Sequence, residues 1–276
     1  MHVQALRPFP LSEALQANAS LRKVGVMTHY PAHVICKDRD ELEDMLAPYS
    51  EYLEVEEYKE YWADNEVLHQ STQWGHDLTN KQFVKEYFFK YGEKIYEDEK
   101  GIYELSTRNP VGYWDYWSVG GRWSGLFSIK PGVPDNEVIW PNYDSWDSPK
   151  KPFRNWDLVA DGAMKKHIDW EDMAMRQFED SCTYWSEFQA NPSMFVWEEE
   201  AKHNLMMFIK EEYARTTIGF YPYKLVDSDG WHQQGKTVMF AGHIDEMDDN
   251  EWDAWTKQRI DKMLDDEWLI QIDCHT

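Results

Sequence analysis

The residues best equipped for chemistry lie in one block, Trp114-Asp115-Tyr116-Trp117-Ser118-Val119-Gly120-Gly121-Arg122-Trp123-Ser124-Gly125. Two adjacent glycines permit positive φ or a close approach of the backbone to another group. Four aromatic rings and one arginine supply stacking faces and a forked donor for carboxylate or phosphate. As a site, Trp117, Gly120, Gly121, Arg122 and Trp123 would wall a pocket, with Arg122 gripping an anionic group and a tryptophan stacking on a ring. As structure, the same residues would make a tight β-turn with its aromatics in the core and Arg122 paired with Asp115. The spacing is neither that of a Walker phosphate loop nor that of a dinucleotide glycine motif.

The C-terminal run Ile270-Gln271-Ile272-Asp273-Cys274-His275 is the second concentration of titratable groups. On a strand, Asp273 and His275 share a face, and an aspartate beside a histidine can orient the ring and raise its basicity. If the first strand lies alongside, His29 joins them. A metal site can be drawn from His29, His33, His275 and Asp273, but no compact ligand spacing supports it, and isolated His and Asp near strand ends are usually hydrogen-bonded structure. The candidate ligand-binding set is therefore Trp117, Gly120, Gly121, Arg122, Trp123, His29, Asp273 and His275, with no metal and no cofactor assigned. A third segment, Asp161 to Trp170, reads as a basic, solvated connector leading to a helix N-cap.

Nucleophile-elbow, HExxH and EF-hand patterns are missing from the sequence. The acidic run Asp245 to Glu251 lacks the alternation and central glycine of a calcium loop and reads as a helix-capping turn. Asp and Glu number 51 against 28 Lys and Arg, a formal charge of −23. Such a field repels phosphate backbones and favours a basic partner. Three widely spaced cysteines (Cys36, Cys182 and Cys274) form neither a disulfide framework nor a zinc module, which fits a reducing cytoplasm. The first 30 residues show no signal-peptide pattern, and no apolar run reaches bilayer length.

These residues need elements to position them. Residues 1–22 read as an N-terminal appendage carrying a short helix capped by Ser12. Lys23 to Ile35 reads as a strand that Pro31 should bend or end. Asp38 caps a helix from Arg39 to Ala47 that Pro48 stops. Tyr52 to Tyr58 alternates as a second strand, and the chain to about residue 110 reads as helical, including a helix from Thr79 or Asn80 to Tyr91. Two β segments flank Gly120–Gly121, and Pro131 to Pro152 reads as a long loop. Asp169 to Ala190 and Ser193 to Ala214 read as helices. A hairpin turns at Asp227-Ser228-Asp229-Gly230. A helix runs from Asp248 or Asp249 to Leu264, burying Trp252, Trp255, Ile260 and Leu264, and Trp268 to Asp273 is the last strand. The expected fold is a single α+β domain over 23–276. Its core is a ferredoxin-like antiparallel sheet with a large, mainly helical insertion at about 60–215, and its first and last strands pair antiparallel.

The Trp114–Trp117 and Gly120–Gly125 blocks, the Asp161–Asp169 segment and the terminal Asp273-Cys274-His275 together resemble an uncharacterised family of tailed-phage and prophage accessory proteins. Thr28-His29-Tyr30 and Asp229-Gly230-Trp231-His232 fit the same pattern. The resemblance covers roughly residues 25–276 in discontinuous blocks, with the Gly-Gly-Arg-Trp-Ser-Gly run its most specific part. It implies phage origin rather than a mechanism, and residues 1–22 lie outside it.

Three functions follow as expectations. The first is a non-enzymatic, phage-encoded effector in the host cytoplasm that binds and inhibits a host or anti-phage defence protein through its acidic surface, without direct nucleic-acid or membrane binding. The second is a small-molecule or nucleotide-binding protein, hydrolytic in one version, with a pocket at Arg122, Asp273 and His275. The third is an assembly factor with an exposed aromatic surface.

Overall fold

The computed structural model describes residues 29–61, 94–142, 158–191, 209–216, 222, 224–238, 242–245, 247 and 249–275. In chain order the elements are β1 (His29–Cys36), α1 (Leu42–Leu46), β2 (Tyr58–Tyr61), β3 (Ile95–Asp98), β4 (Gly101–Ser106), β5 (Tyr116–Val119), β6 (Phe127–Ser128) and β7 (Val138–Ile139). They continue with β8 (Val159–Ala160), β9 (Gly162–Met164), α2 (Trp170–Ala190), α3 (Lys210–Thr216), β10 (Lys224–Asp227) and β11 (Gly230–Gln233). Last come β12 (Gly235–Val238), β13 (Gly242–Asp245), α4 (Asp249–Lys262) and β14 (Trp268–His275). The expected helices within 1–22 and from Thr79 or Asn80 to Tyr91 lie outside the described residues, as does most of the one expected from Ser193.

The chain is α+β, as its pattern of elements implied. Where the sequence reading took 23–276 as one domain, two compact units form. The first comprises Met1–Met45, Tyr116–His232 and Asp248–Thr276, and the second Leu46–Asp115 and Gln233–Met247.

The first unit is built on one mixed sheet in the order β11-β10-β1-β14-β9-β7, with β5 beside the C-terminal half of β14. β14 runs through its middle, antiparallel to β1 from His29↔His275 to Cys36↔Trp268. This is the expected pairing of the chain's first and last strands. Alternation puts His29, His33 and Ile35 on one face with Leu269, Gln271, Asp273 and His275, and Tyr30, Ala32 and Val34 on the other with Ile270, Ile272 and Cys274. Residues Trp268 to Cys274 are all buried, the pattern of a central strand covered on both faces. Against the His33 face, Met173 of α2 and Ile260 of α4 pack with Met263, Phe127, Leu225 and Leu269 into one core.

α2 starts where Asp169 accepts the Asp172 N–H at 3.0 Å. It buries Met173, Gln177, Ser181 and Phe188, a stripe at helical spacing. Its far end packs Phe188 against Tyr213 of α3. In the second unit β2-β4-β3 form a three-stranded sheet and β12-β13 a hairpin.

Several local expectations are corrected. Pro31 does not end β1. The partners of β10 on β1 are His33 and Val34, so no ladder bond from that side is needed at position 31. Residues 52–57 are not a strand, because almost every side chain there is exposed and their alternation has nothing to pack on; pairing with β4 starts only at Tyr58. The stretch read as helical holds the β3–β4 hairpin, in which Tyr96 and Tyr103 pair across strands. The proline-rich loop contains β7, which extends the sheet beside β9. The supposed helical insertion also supplies β5 and β9 to that sheet, so it is integral to the core. β1 and β10 run parallel where a ferredoxin-like sheet alternates direction. Leu264 is 62% exposed while Met263 is buried, since α4 ends at Lys262 and the helical period stops there.

Among the polar side chains the sheet buries are His33, Gln271 and Lys224. Burial pushes the His33 imidazole down to about 3, against a raising contribution from Gln271. It pushes the Lys224 amine down to about 8 from 10.5, with Cys274 acting in the opposite sense. Lys224 sits 4.6 Å from the Tyr30 ring centroid. Its folded value lies below the unfolded one, so its cost to stability is full below pH 8 and disappears as pH rises from 8 to 10.5. Replacing a buried charge by a well-packed apolar side chain is stabilising by about 1–4 kcal/mol in favourable cases. Lys224→Met should therefore raise stability at pH 7 by an amount in that range and flatten the rise between pH 8 and 10, measured by chemical denaturation.

Candidate functional site

β5 ends against β14, and the chain then turns through Gly120 and Gly121 with φ of +70° and +51°. Side chains are disfavoured at these angles, and here they are also excluded by space. A Cβ at Gly120 would collide with the Asp161 carboxylate, and one at Gly121 with Cβ and Oδ2 of Asp273. The turn is wrapped onto two buried acids.

On one side the Arg122 N–H donates to Asp273 Oδ2 at 3.0 Å. On the other, Gly125 N–H and Ser124 Oγ donate to Asp161 Oδ1 at 2.6 and 2.9 Å. The Gly120 N–H donates to Gln271 O at 2.9 Å, and the Gln271 N–H to Asp161 O at 2.7 Å. One glycine-rich turn is thus stitched to β14 and to the residue entering β9. Burial pushes Asp161 up to about 6, against the lowering effect of the Gly125 and Ser124 donors. Burial also lifts Asp273 above the usual carboxylate range, opposed by the Arg122 N–H and the His29 ring.

The second oxygen of Asp273 reaches β1. His29 Nδ1 lies 2.9 Å from Asp273 Oδ1, and with the carboxylate ionised the ring donates that bond. Nε2 is the ring nitrogen left for another contact. The His275 ring stands edge-on to His29 with centroids 4.8 Å apart. The His29 side chain is 14% exposed while Asp273 is fully buried. A buried carboxylate that orients a rim imidazole can hold an anion or move a proton. Ser118 does not complete it as a nucleophile. Ser118 faces Asp273 from β5 and His29 lies beyond it on β1. Two strand spacings place their backbones roughly 10 Å apart or more, beyond the reach of a nucleophile–base hydrogen bond.

The structure brings Gly120, Gly121, the Arg122 backbone, His29, Asp273 and His275 together. It does not bring Trp117 to them. Trp117 is the register partner of Cys274, so alternation points it to the opposite face of the sheet from Asp273. The Arg122 side chain is exposed, which removes the reading of a buried charge paired with Asp115; in the cluster its backbone N–H binds Asp273, and its charge acts on the same carboxylate from a distance. Trp123 is half-buried in the turn's 3-10 segment. His33 lies four residues further along β1 from His29 and is buried, and among the described residues no group of three or more His, Cys, Asp or Glu side chains could hold a metal ion.

Asp161 went unrecognised as a functional neighbour, having been read as part of a solvated connector. Its signal was present in the flanks, where Val159-Ala160 and Gly162-Ala163 are small and apolar on both sides of a lone acid.

Comparison with protein-family models, curated proteins and solved structures finds no match for this chain. No helix among the described residues is long and apolar enough to cross a membrane.

Two outcomes test the site's construction. Gly121→Ala should destabilise by roughly 2–5 kcal/mol, combining left-handed strain with overpacking. Arg122→Ala keeps the donating N–H and should stay within about 0.5 kcal/mol of the parent in the same melts. For Asp161 the folded value lies above the unfolded one. The native state therefore binds the extra proton between pH 3.8 and 6, and this group's contribution falls as pH rises through that window. Denaturation across pH 4–6 should show that slope, and Asp161→Asn should remove it.

Proposed function

We propose that this chain acts by binding rather than catalysis, presenting an acidic surface to a basic partner protein. The observation that carries the reading is the formal charge of −23. A field of that sign steers cationic surfaces inward and repels nucleic acid. The inward orientation of the most chemically equipped motif supports it further, because the turn's N–H and hydroxyl donors are engaged by Asp161 and Asp273. With the resemblance to phage accessory proteins, the partner is a host or defence protein whose nucleic-acid-binding groove the acidic surface would occupy in the infected cell's cytoplasm.

A small-molecule reading keeps one specific observation, the Asp273–His29 pair at the rim of the sheet with His275 against it. That arrangement would accept an anionic ligand through His29 Nε2.

The acidic-surface reading is tested by salt. Binding to a basic target should weaken steeply between low and physiological ionic strength, since exposed charge pairs are screened. Duplex DNA should compete for the same target. Salt-independent binding without competition would replace the reading with a packing-driven interface.

A further inference from the structure

We propose, resting on the small-molecule reading above, that Tyr116, His275 and His29 form a rim row that binds a mononucleotide, phosphate on the imidazoles and base on the tyrosine. His275 is the register partner of His29 on β1 and of Tyr116 on β5, so β14 carries a ring between two others. Directly paired residues share a face, and alternation puts Ser118 and Asp273 on that same face as the next row inward. Tyr116 is thus the β5 ring on the side of the cluster, where Trp117 is not. The row is open at the surface, with Tyr116 39% and the His29 side chain 14% exposed. All of these residues belong to the first unit.

The two ends of the row offer different chemistry. At one end Asp273 fixes the His29 ring through Nδ1, leaving Nε2 for a ligand, and the His275 ring lies edge-on beside it. The exposed Arg122 guanidinium adds a positive charge within electrostatic reach of the same Asp273. Both Asp273 oxygens are bonded, one to His29 and one to the Arg122 N–H, so the acid anchors these donors. Imidazolium and guanidinium groups around one position suit a phosphate, whose oxygens accept several charge-assisted bonds at once. Behind the row, the buried Ser118 Oγ makes no hydrogen bond among the described residues, which leaves one more polar group on this face. At the other end the Tyr116 ring supplies a stacking face, and stacking is tolerant of which base it receives. β1 and β5 lie on either side of β14, so the backbones at His29 and Tyr116 are roughly 10 Å apart. A lone carboxylate or phosphate is too short to use both ends, whereas a mononucleotide holds its sugar between phosphate and base. A nucleic-acid polymer meets the charge of −23 along its length. A mononucleotide meets the rim groups alone, because exposed charges beyond about 8 Å are screened at physiological salt.

The experiment titrates the full chain by calorimetry with adenosine monophosphate, with inorganic phosphate and with adenosine, and melts each variant to check its folding. The nucleotide should bind roughly tenfold more tightly than either part alone, a preference read on the unsubstituted chain. Arg122→Ala, which keeps the backbone donor, and His275→Gln should each weaken the nucleotide roughly tenfold. Tyr116→Leu should lower nucleotide affinity to that of inorganic phosphate, and Tyr116→Phe should preserve it, because the ring remains. Equal binding of phosphate and nucleotide, unmoved by Tyr116→Leu, overturns the nucleotide and leaves the anionic-ligand reading standing. Adenosine binding as tightly as the nucleotide overturns the phosphate role of the imidazoles. Nucleotide binding that none of the substitutions alters overturns this location. Failure of phosphate and nucleotide alike to bind overturns this proposal together with the small-molecule reading and leaves the acidic-surface reading untouched.

Discussion

Two carboxylates, Asp161 and Asp273, are buried on either side of one backbone turn, and the first unit is arranged around satisfying them. A charge taken out of water is tolerated only when hydrogen bonds replace its hydration. Most of those bonds come from the Gly120–Gly125 turn, Arg122 N–H on one side and Ser124 and Gly125 on the other, with His29 adding one to Asp273. To bring both acids that close, the turn must do without Cβ atoms at 120 and 121 and must take positive φ at both. The glycine pair is therefore imposed by the acids, and the acids are held by the glycine pair.

The same linkage sets the middle of the sheet. Asp273 belongs to β14 and binds the turn with one oxygen and His29 of β1 with the other. Gln271, two residues earlier on the same strand, donates its N–H to the Asp161 carbonyl and accepts the Gly120 N–H. The backbone of β14 is thereby tied to β1, β5 and the entry to β9 over three residues. A one-residue slip would move Asp273 and Gln271 to the opposite face, taking Asp273 from the Arg122 N–H and His29 that hold it. Register here is specified by polar atoms inside an otherwise apolar strand, a role for buried polar groups distinct from net stability.

The donors of the Gly120–Gly125 turn are engaged by Asp161 and Asp273, so this motif serves the fold of the first unit. Carboxylates outnumber cationic side chains 51 to 28 along the chain. A charge excess of that size acts at long range on the approach of a partner. In the second unit Tyr61, Tyr103 and Tyr96 form one cross-strand row on a sheet face.

Much was legible in the residues themselves. The alternating, apolar ends of the chain specified β1 and β14 and their antiparallel pairing, because strands buried on both faces need a partner of the same kind. Asp38 announced the 3-10 turn Arg39–Glu41 that leads into α1, and Asp169 the start of α2, since a carboxylate followed by a free N–H is a local interaction. The turn at 227–230 was equally local. What the sequence left open depends on which residue approaches from a distance. Gly120–Gly121 advertised a close approach without saying to what. Only the fold brought up Asp161 from 41 and Asp273 from 153 positions along the chain, counting from Gly120. Tyr96 and Tyr103 lie in a stretch that reads as helical, and cross-strand pairing with one another and with Tyr61 makes them strand. Arg122 looked like the working group of its motif through a guanidinium contact, but the hydrogen bond to Asp273 comes from its backbone N–H, because a buried carboxylate is satisfied by the nearest fixed donor, and the exposed guanidinium acts on it only through its charge.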